Sequence, residues 1–330
     1  MDILKVFQRI FWTHVGTPEA RSILKNARKR QRNLKKQIDL IEQRWPEVSG
    51  KDISSKYVSN RIDCNPVFVL SAGWRSGSTL VQRLLMSSGE IFIWGEPYGS
   101  ASIIESLARP LLVFDENRPT KSEIWDGRSN LVELSNKWIA NLSPHPLVLK
   151  ESMCEFLETL FYAPLQNKGI PRWGLKEVRI PADYCFFLKW LYPRAKFVLV
   201  YRNPYHAWHS YRRYRRWFRA IPNDPVFTPY AFGRVWKNLV NSFTLNHDKI
   251  RAFLVSYESI VSDPEGIVRK MEEYLGFSIS LDPLRTKVGG SRKKRLSKSD
   301  RLLLFYEWMW VRVAVGGVAA RLGYNIPKFP

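Results

Sequence analysis

The chain has 330 residues, 45% of them hydrophobic and 14% aromatic, enough to bury one large core with room for extras. Lys and Arg number 52 against 30 Asp and Glu, a net charge of +22; that excess selects anionic partners, namely nucleic acid, acidic membrane, or phosphorylated and sulfated small molecules. Cys64, Cys154 and Cys185 are odd in number and lack CxxC spacing, so neither a zinc site nor a disulfide framework is indicated, and a reducing compartment is expected.

Residues 1–60 read as an N-terminal helical extension with a linker. The opening "MDILKVFQRIFW" is too short and too polar for a signal-peptide core or a spanning helix. In "RSILKNARKRQRNLKKQIDLIEQRW", Ile23, Leu24, Leu34, Ile38, Leu40 and Ile41 recur at helical spacing within a dense basic run. The pattern predicts a basic amphipathic helix, suited to packing on the main domain or to docking on an anionic membrane or polyanion. "PEVSGKDISSK" is the linker, and residues 61–330 form the main domain.

There, short apolar runs alternate with helical periods. Strands are predicted at 66–71, 146–150, 172–178 and 196–202, with a last one in "RAFLVSYE". Helices are predicted in "GSTLVQRLLMSS", "ESMCEFLETLFYAPL", "PADYCFFLKWLY", "YHAWHSYRRYRRWF", "TPYAFGRVWKNLVNSFTLNH" and "DPEGIVRKMEEYLG". Near-continuous apolar strands separated by helices imply a parallel sheet covered on both faces, an α/β three-layer fold like that of P-loop NTPases. "RLLLFYEWMWVRVAVGGVAARLGY" is very apolar, but Glu307, Arg312 and Gly316-Gly317 interrupt it, so it reads as a buried C-terminal helix.

Ligands in such sheets bind beyond the strands' carboxyl ends. "SAGWRSGST" follows the first strand; Gly73 and Gly77 permit a tight turn, and the amides of Gly77, Ser78 and Thr79 open a helix toward an anion. A nucleoside-triphosphate loop has G-x-x-x-x-G-K-[ST]. Here Ala72 holds the first Gly position, Ser78 the Lys position, and the cation is Arg75. A second cluster, "FVLVYRNPYHAWHSY", places Arg202 at a strand tip, Pro204 in a helical first turn and Ser210 two turns on, a pair able to grip a phosphate.

Together, "GWRSGSTLVQRLL" and "FVLVYRNPYHAWHSY" resemble the two nucleotide motifs of sulfotransferases that use 3′-phosphoadenosine 5′-phosphosulfate (PAPS). The resemblance covers roughly residues 64 to 324, and the form "RSGST" is similar to that of carbohydrate and tyrosylprotein sulfotransferases. It implies that Arg75, Ser76, Gly77, Ser78 and Thr79 hold the 5′-phosphosulfate and that Arg202 and Ser210 hold the 3′-phosphate. "GGSRKKRLSKSD" sits where many members fold a basic loop over the nucleotide, which makes Arg292 a further contact, although "KVGGSRKKR" departs from the family's closing motif.

Sulfuryl transfer needs an aligned acceptor hydroxyl, a base for its proton, and positive charge for the departing phosphate oxygen. Glu96 in "IFIWGEPYGS" is the candidate general base, in a "GE" context similar to that of carbohydrate and tyrosylprotein members. Lys176 in "RWGLKEVRIP" is the candidate for the bridging oxygen, and Glu177 is the alternative base. A surface ion pair is the other reading of Lys176-Glu177. No metal-ligand cluster is present, and none is required.

The expected acceptor is a hydroxyl on a carbohydrate or glycolipid, with "YRRYRRWFRA" supplying aromatic faces and arginines to its cleft. Nucleic acid is not expected as a partner. A cytoplasmic enzyme, with peripheral contact to anionic membrane, fits the missing spanning helix. The rival readings are a P-loop nucleotide kinase, opposed by Ser78 and Arg202, and a non-enzymatic polyanion- or membrane-binding protein, which leaves the paired motifs without a purpose.

Overall fold

A computed structural model describes residues 34–45, 65–114, 116–125, 129–213, 226–285 and 297–327. Five strands form one wholly parallel sheet: β1 Val67–Ser71, β2 Ile91–Gly95, β3 Arg172–Val178, β4 Lys196–Tyr201 and β5 Phe253–Ser256, in the order β2-β3-β1-β4-β5. Alternate residues of the inner strands enter two separate cores. Phe68, Leu70, Phe197 and Leu199 lie in the larger core, and Val67, Val69, Val198 and Val200 in the smaller. A strand buried on both faces must be apolar throughout, hence the unbroken runs in the sequence.

The helices include α1 Leu34–Arg44, α2 Ser78–Met86, α3 Ile103–Ala108, α4 Pro146–Leu157, α5 Asp183–Leu191, α6 Pro204–Tyr211, α7 Pro229–Ile250, α8 Tyr257–Ser262, α9 Pro264–Leu275, α10 Lys298–Val315 and α11 Gly317–Arg321. α2 and α9 cover the smaller core, and α1, α4, α5, α7 and α10 contribute to the larger. The expected three-layer α/β architecture is therefore present. α1 packs on α5 and buries Leu34, Ile38, Ile41 and Trp45 in the same core as the sheet. Of the N-terminal extension, only this helix falls within the described residues.

Two expectations are corrected. Residues 146–150 are not a strand; they open α4. Pro146 occupies the helix's first turn, where its missing N–H costs nothing, and His145 Nδ1 accepts from the Leu147 N–H at 3.2 Å. The C-terminal apolar segment is only half-buried, and it is two helices, α10 and α11, separated at Gly316 with φ 53°.

Register brings the strands' carboxyl ends to one edge. Gly95 lies opposite Lys176, Ser71 opposite Val178 and Val200, and Tyr201 opposite Ser256. β1 is central, and the chain crosses to opposite sides of it, so the loop after β1 opens at the crevice where α/β sheets bind ligands.

Candidate active site

The loop after β1 is curled on itself. The hydroxyls of Ser71 and Ser76 both donate to the Gly73 carbonyl, at 2.9 and 2.7 Å. Ser76 is thus buried, and its hydroxyl shapes the loop from within. Ser78 is also buried, whereas Thr79 and Arg75 are exposed. Gly77, with φ +92°, ends the loop at the start of α2, and a Cβ there would meet the Tyr257 ring at 2.4 Å. No side chain caps α2, so its first amides are left for another acceptor.

The second cluster meets the loop directly. Arg75 Nε donates to Ser210 Oγ at 2.9 Å, and Arg202 Nη1 donates to the Arg75 carbonyl at 3.1 Å. Asn203 caps α6 by accepting from the Tyr205 and His206 N–H groups, which fixes the helix that carries Ser210. The Arg202 guanidinium lies 4.2 Å from the Tyr257 ring centroid, and its buried Nε has no hydrogen-bond partner. Burial pulls its pKa below the ordinary value, against the pull of Tyr257 and Glu258. Glu258 Oε1 forms a loose ion pair with Arg202 Nε at 4.0 Å, while its carboxylate also accepts from the Asn203 N–H at 3.1 Å and from the Tyr324 hydroxyl at 2.8 Å. The buried Arg202 Nε–H, which lacks a hydrogen-bond partner, is thus a donor free to meet an acceptor oxygen. His206, depressed by burial and then by Arg202, and His209, depressed by burial and then by Arg213 and Arg212, report the same positive field.

On the other side of the loop, Glu96 and Lys176 form an ion pair through Glu96 Oε1 and Lys176 Nζ. The Lys176 side chain is 6% exposed and that of Glu96 37%. Glu96 leaves β2 with φ 45°, its N–H donating to the Lys176 carbonyl at 2.8 Å. Glu177 points to the opposite face of β3, where burial and then Glu96 raise its pKa to about 8.

The described residues contain no group of His, Cys, Asp and Glu able to hold a metal ion. A cavity of about 720 Å³ lies at the opposite edge, against Val67, Arg172 and Lys196 at the strands' amino ends, and includes none of these site residues. Its cations have partners of their own: Lys189 Nζ donates to the Ile250 carbonyl at 3.5 Å, and Arg172 pairs with Glu90.

The model of the sulfotransferase family matches residues 66–281, from the start of β1 to beyond α9. The chain belongs to the sulfotransferase family. Sulfotransferases of this kind take their sulfuryl group from PAPS, and the kinase and non-enzymatic readings are set aside. No curated protein matches the chain significantly. Among solved structures it is similar to the sulfotransferase domain of an olefin synthase from Synechococcus PCC 7002, with 17% identity over 82% of this chain and 98% of that one and a TM-score of 0.43. A sulfotransferase from Alicyclobacillus acidocaldarius is 14% identical over 80% of this chain and 98% of that one, with a TM-score of 0.41. Mouse sulfotransferase SULT7A1 complexed with PAP is 14% identical over 80% of each chain, with a TM-score of 0.38.

Of the residues expected at a sulfotransferase site, Arg75, Arg202 and Ser210 are brought into contact, and so are Glu96 and Lys176. Arg292 lies outside the described residues, as does all of "YRRYRRWFRA" beyond Arg213. Sequence reasoning passed over three groups. Tyr257 sits between Gly77 and Arg202; its place just after β5 was the available signal. Trp74 of the loop stacks between Tyr211, with centroids 5.3 Å apart, and the Arg179 guanidinium at 3.9 Å. Arg179 takes φ 71° just beyond β3, a conformation that no sequence pattern announces.

Proposed function

We propose that this enzyme moves a sulfuryl group from PAPS to a hydroxyl on a carbohydrate or glycolipid, with Glu96 as general base. The bound donor supplies the activated sulfuryl group. The uncapped start of α2, with Arg75, Gly77, Ser78, Thr79 and the Ser76 amide, suits the 5′-phosphosulfate. Arg202 and Ser210 suit the 3′-phosphate, with Arg292 as a further contact.

Glu96 takes the acceptor's proton as the acceptor oxygen bonds to sulfur and the bond from sulfur to the phosphate oxygen breaks. Neutralising Glu96 releases Lys176 from its ion pair, and the freed ammonium meets the charge that develops on the departing oxygen. The observation that carries this reading is the Glu96–Lys176 pair, held at adjacent strand ends beside the phosphate-binding loop. The acceptor class rests on the form of that loop and on the arginines and aromatic residues that follow Ser210 in the sequence.

Residues 61–330 act as the catalytic domain and residues 1–60 as its extension, in a cytoplasmic protein that contacts membrane peripherally. No helix of the described residues is long and apolar enough to cross a membrane.

Calorimetric titration tests the donor site: adenosine 3′,5′-bisphosphate without metal, against ATP with and without magnesium, on wild type and Arg202→Ala. Metal-independent preference for the bisphosphate, lost in the variant, is expected. A preference for magnesium-ATP overturns the assignment. Incubating glycans and glycolipids with sulfate-labelled donor then tests the acceptor class, and labelling of neither overturns that class.

A further inference from the structure

α10 has two unlike apolar faces. Leu304, Trp308, Val311 and Val315 face inward and are buried in the larger core. Leu302, Leu303, Tyr306, Met309, Trp310 and Val313 project from the other face, with exposures from 38% at Met309 to 64% at Val313. Their spacing is that of one helical stripe, so they form a continuous ridge along three turns. Burying this side chain set would be favourable, yet no described element covers it.

Cations flank the ridge. Arg301 and Arg312 lie on α10 itself. On α7, Tyr230 meets the Trp310 ring at 6.4 Å and Gly233 backs onto Ala314, which lays the edge carrying Arg234 and Lys237 along the ridge. The acids of α10 are directed elsewhere. Asp300 is tied to Ser297 in the helix cap, and Glu307 is buried against Trp208 at 2.9 Å and Arg212 at 3.0 Å.

We propose that this ridge docks on the surface of an anionic phospholipid bilayer, with α10 lying in the interface plane. A helix half out of the core presents a ridge, which a deformable lipid interface accepts and which a protein partner could accept only with a matching groove. Aromatic residues with a polar end, such as Tyr306 and Trp310, are favoured at that depth. The cationic rim complements acidic headgroups. A second copy of this chain is a poorer occupant, because each copy carries +22 and would bring the same rim. α10 also grips the helix bearing Ser210 through Trp208 and Arg212, so docking holds the donor site close to the bilayer. The docking deepens the peripheral membrane contact proposed above, and its last consequence rests also on the proposed donor site.

The test is co-sedimentation of the full chain with vesicles of phosphatidylcholine alone and with added phosphatidylglycerol, for wild type, Leu302→Glu/Trp310→Glu and Met309→Glu/Val313→Glu. Circular dichroism and bisphosphate binding monitor the fold and the donor site. Wild type is expected to sediment with the anionic vesicles, and at least one well-folded variant to bind about ten-fold or more weakly. Wild type staying in solution with anionic vesicles overturns the proposal. So does undiminished binding by both variants, which would place the contact elsewhere, for instance on the basic N-terminal segment. A wild-type dimer that the substitutions convert to monomer overturns it in favour of self-association.

Discussion

Arg75 Nε donates to Ser210 Oγ across 2.9 Å, although 135 residues separate them in the chain. One belongs to the loop after β1 and the other to the helix after β4, and these strands are neighbours in the sheet. The contact joins the two elements proposed to hold the donor's phosphates. A bisphosphate that spans them therefore finds both ends already in register, with less ordering entropy to lose.

Arg202→Ala and Ser210→Ala should weaken adenosine 3′,5′-bisphosphate unequally. Loss of a charged donor costs about 1.5–3 kcal/mol, roughly ten- to hundred-fold in affinity, and loss of a neutral hydroxyl about 0.5–1.5 kcal/mol. Calorimetry at fixed ionic strength reads both. Equal affinities in all three proteins would remove the 3′-phosphate role.

Two glycines of the loop separate strain from space. Gly73 and Gly77 both have φ above +90°, but only at Gly77 does a Cβ meet the Tyr257 ring. Gly73→Ala should cost about 1–2 kcal/mol of backbone strain. Gly77→Ala should cost more and abolish bisphosphate binding, because the ring it displaces also lies beneath Arg202. Thermal melts and calorimetry on the two variants make the comparison.

The ion pair of Glu96 and Lys176 is asymmetric, since the lysine is buried and the glutamate is partly exposed. Glu96→Gln strands a buried ammonium and should destabilise the protein by about 3–5 kcal/mol, whereas Lys176→Met leaves a carboxylate that water can reach and should cost less. Each should slow the release of adenosine bisphosphate from PAPS with acceptor present, Glu96→Gln by roughly 10²–10⁴-fold. Denaturant melts and a turnover assay separate the two effects.

Glu177 has a folded pKa of about 8 against a reference of 4.5. Between these values the folded state holds a proton that the unfolded chain has released, so this group's contribution is complete below pH 4.5 and is lost as pH rises through about 8. Stability should fall over that window by up to a few kcal/mol, and Glu177→Gln should flatten the fall. Urea melts at a series of pH values provide the check.

His206 is held low by burial and by Arg202. A bound 3′-phosphate would oppose the arginine's field, so the His206 pKa should rise when adenosine 3′,5′-bisphosphate is added. Imidazole proton shifts followed by NMR, with and without the nucleotide, measure this. An unmoved pKa would place the phosphate away from Arg202.

Sequence alone determined β1, β3, β4 and β5, though not β2, together with the loop after β1 and the Arg202 strand tip. Each is encoded locally: strands buried on both faces must be apolar, turns need glycine, and Asn-Pro starts a helix. It did not determine residues 146–150, where an apolar run suits a strand or a buried helix alike until the cap at His145 is seen. Nor did it show that the lysine of Lys176-Glu177 pairs with Glu96 and not with its neighbour. Consecutive residues of a strand point to opposite faces, and only the register of β2 on β3 brings Glu96 to the lysine's side. The same limit applies to α10. Its apolar residues are legible as a helix, but which of them the core covers was decided by where α7 lies against it, a tertiary contact that no local pattern encodes.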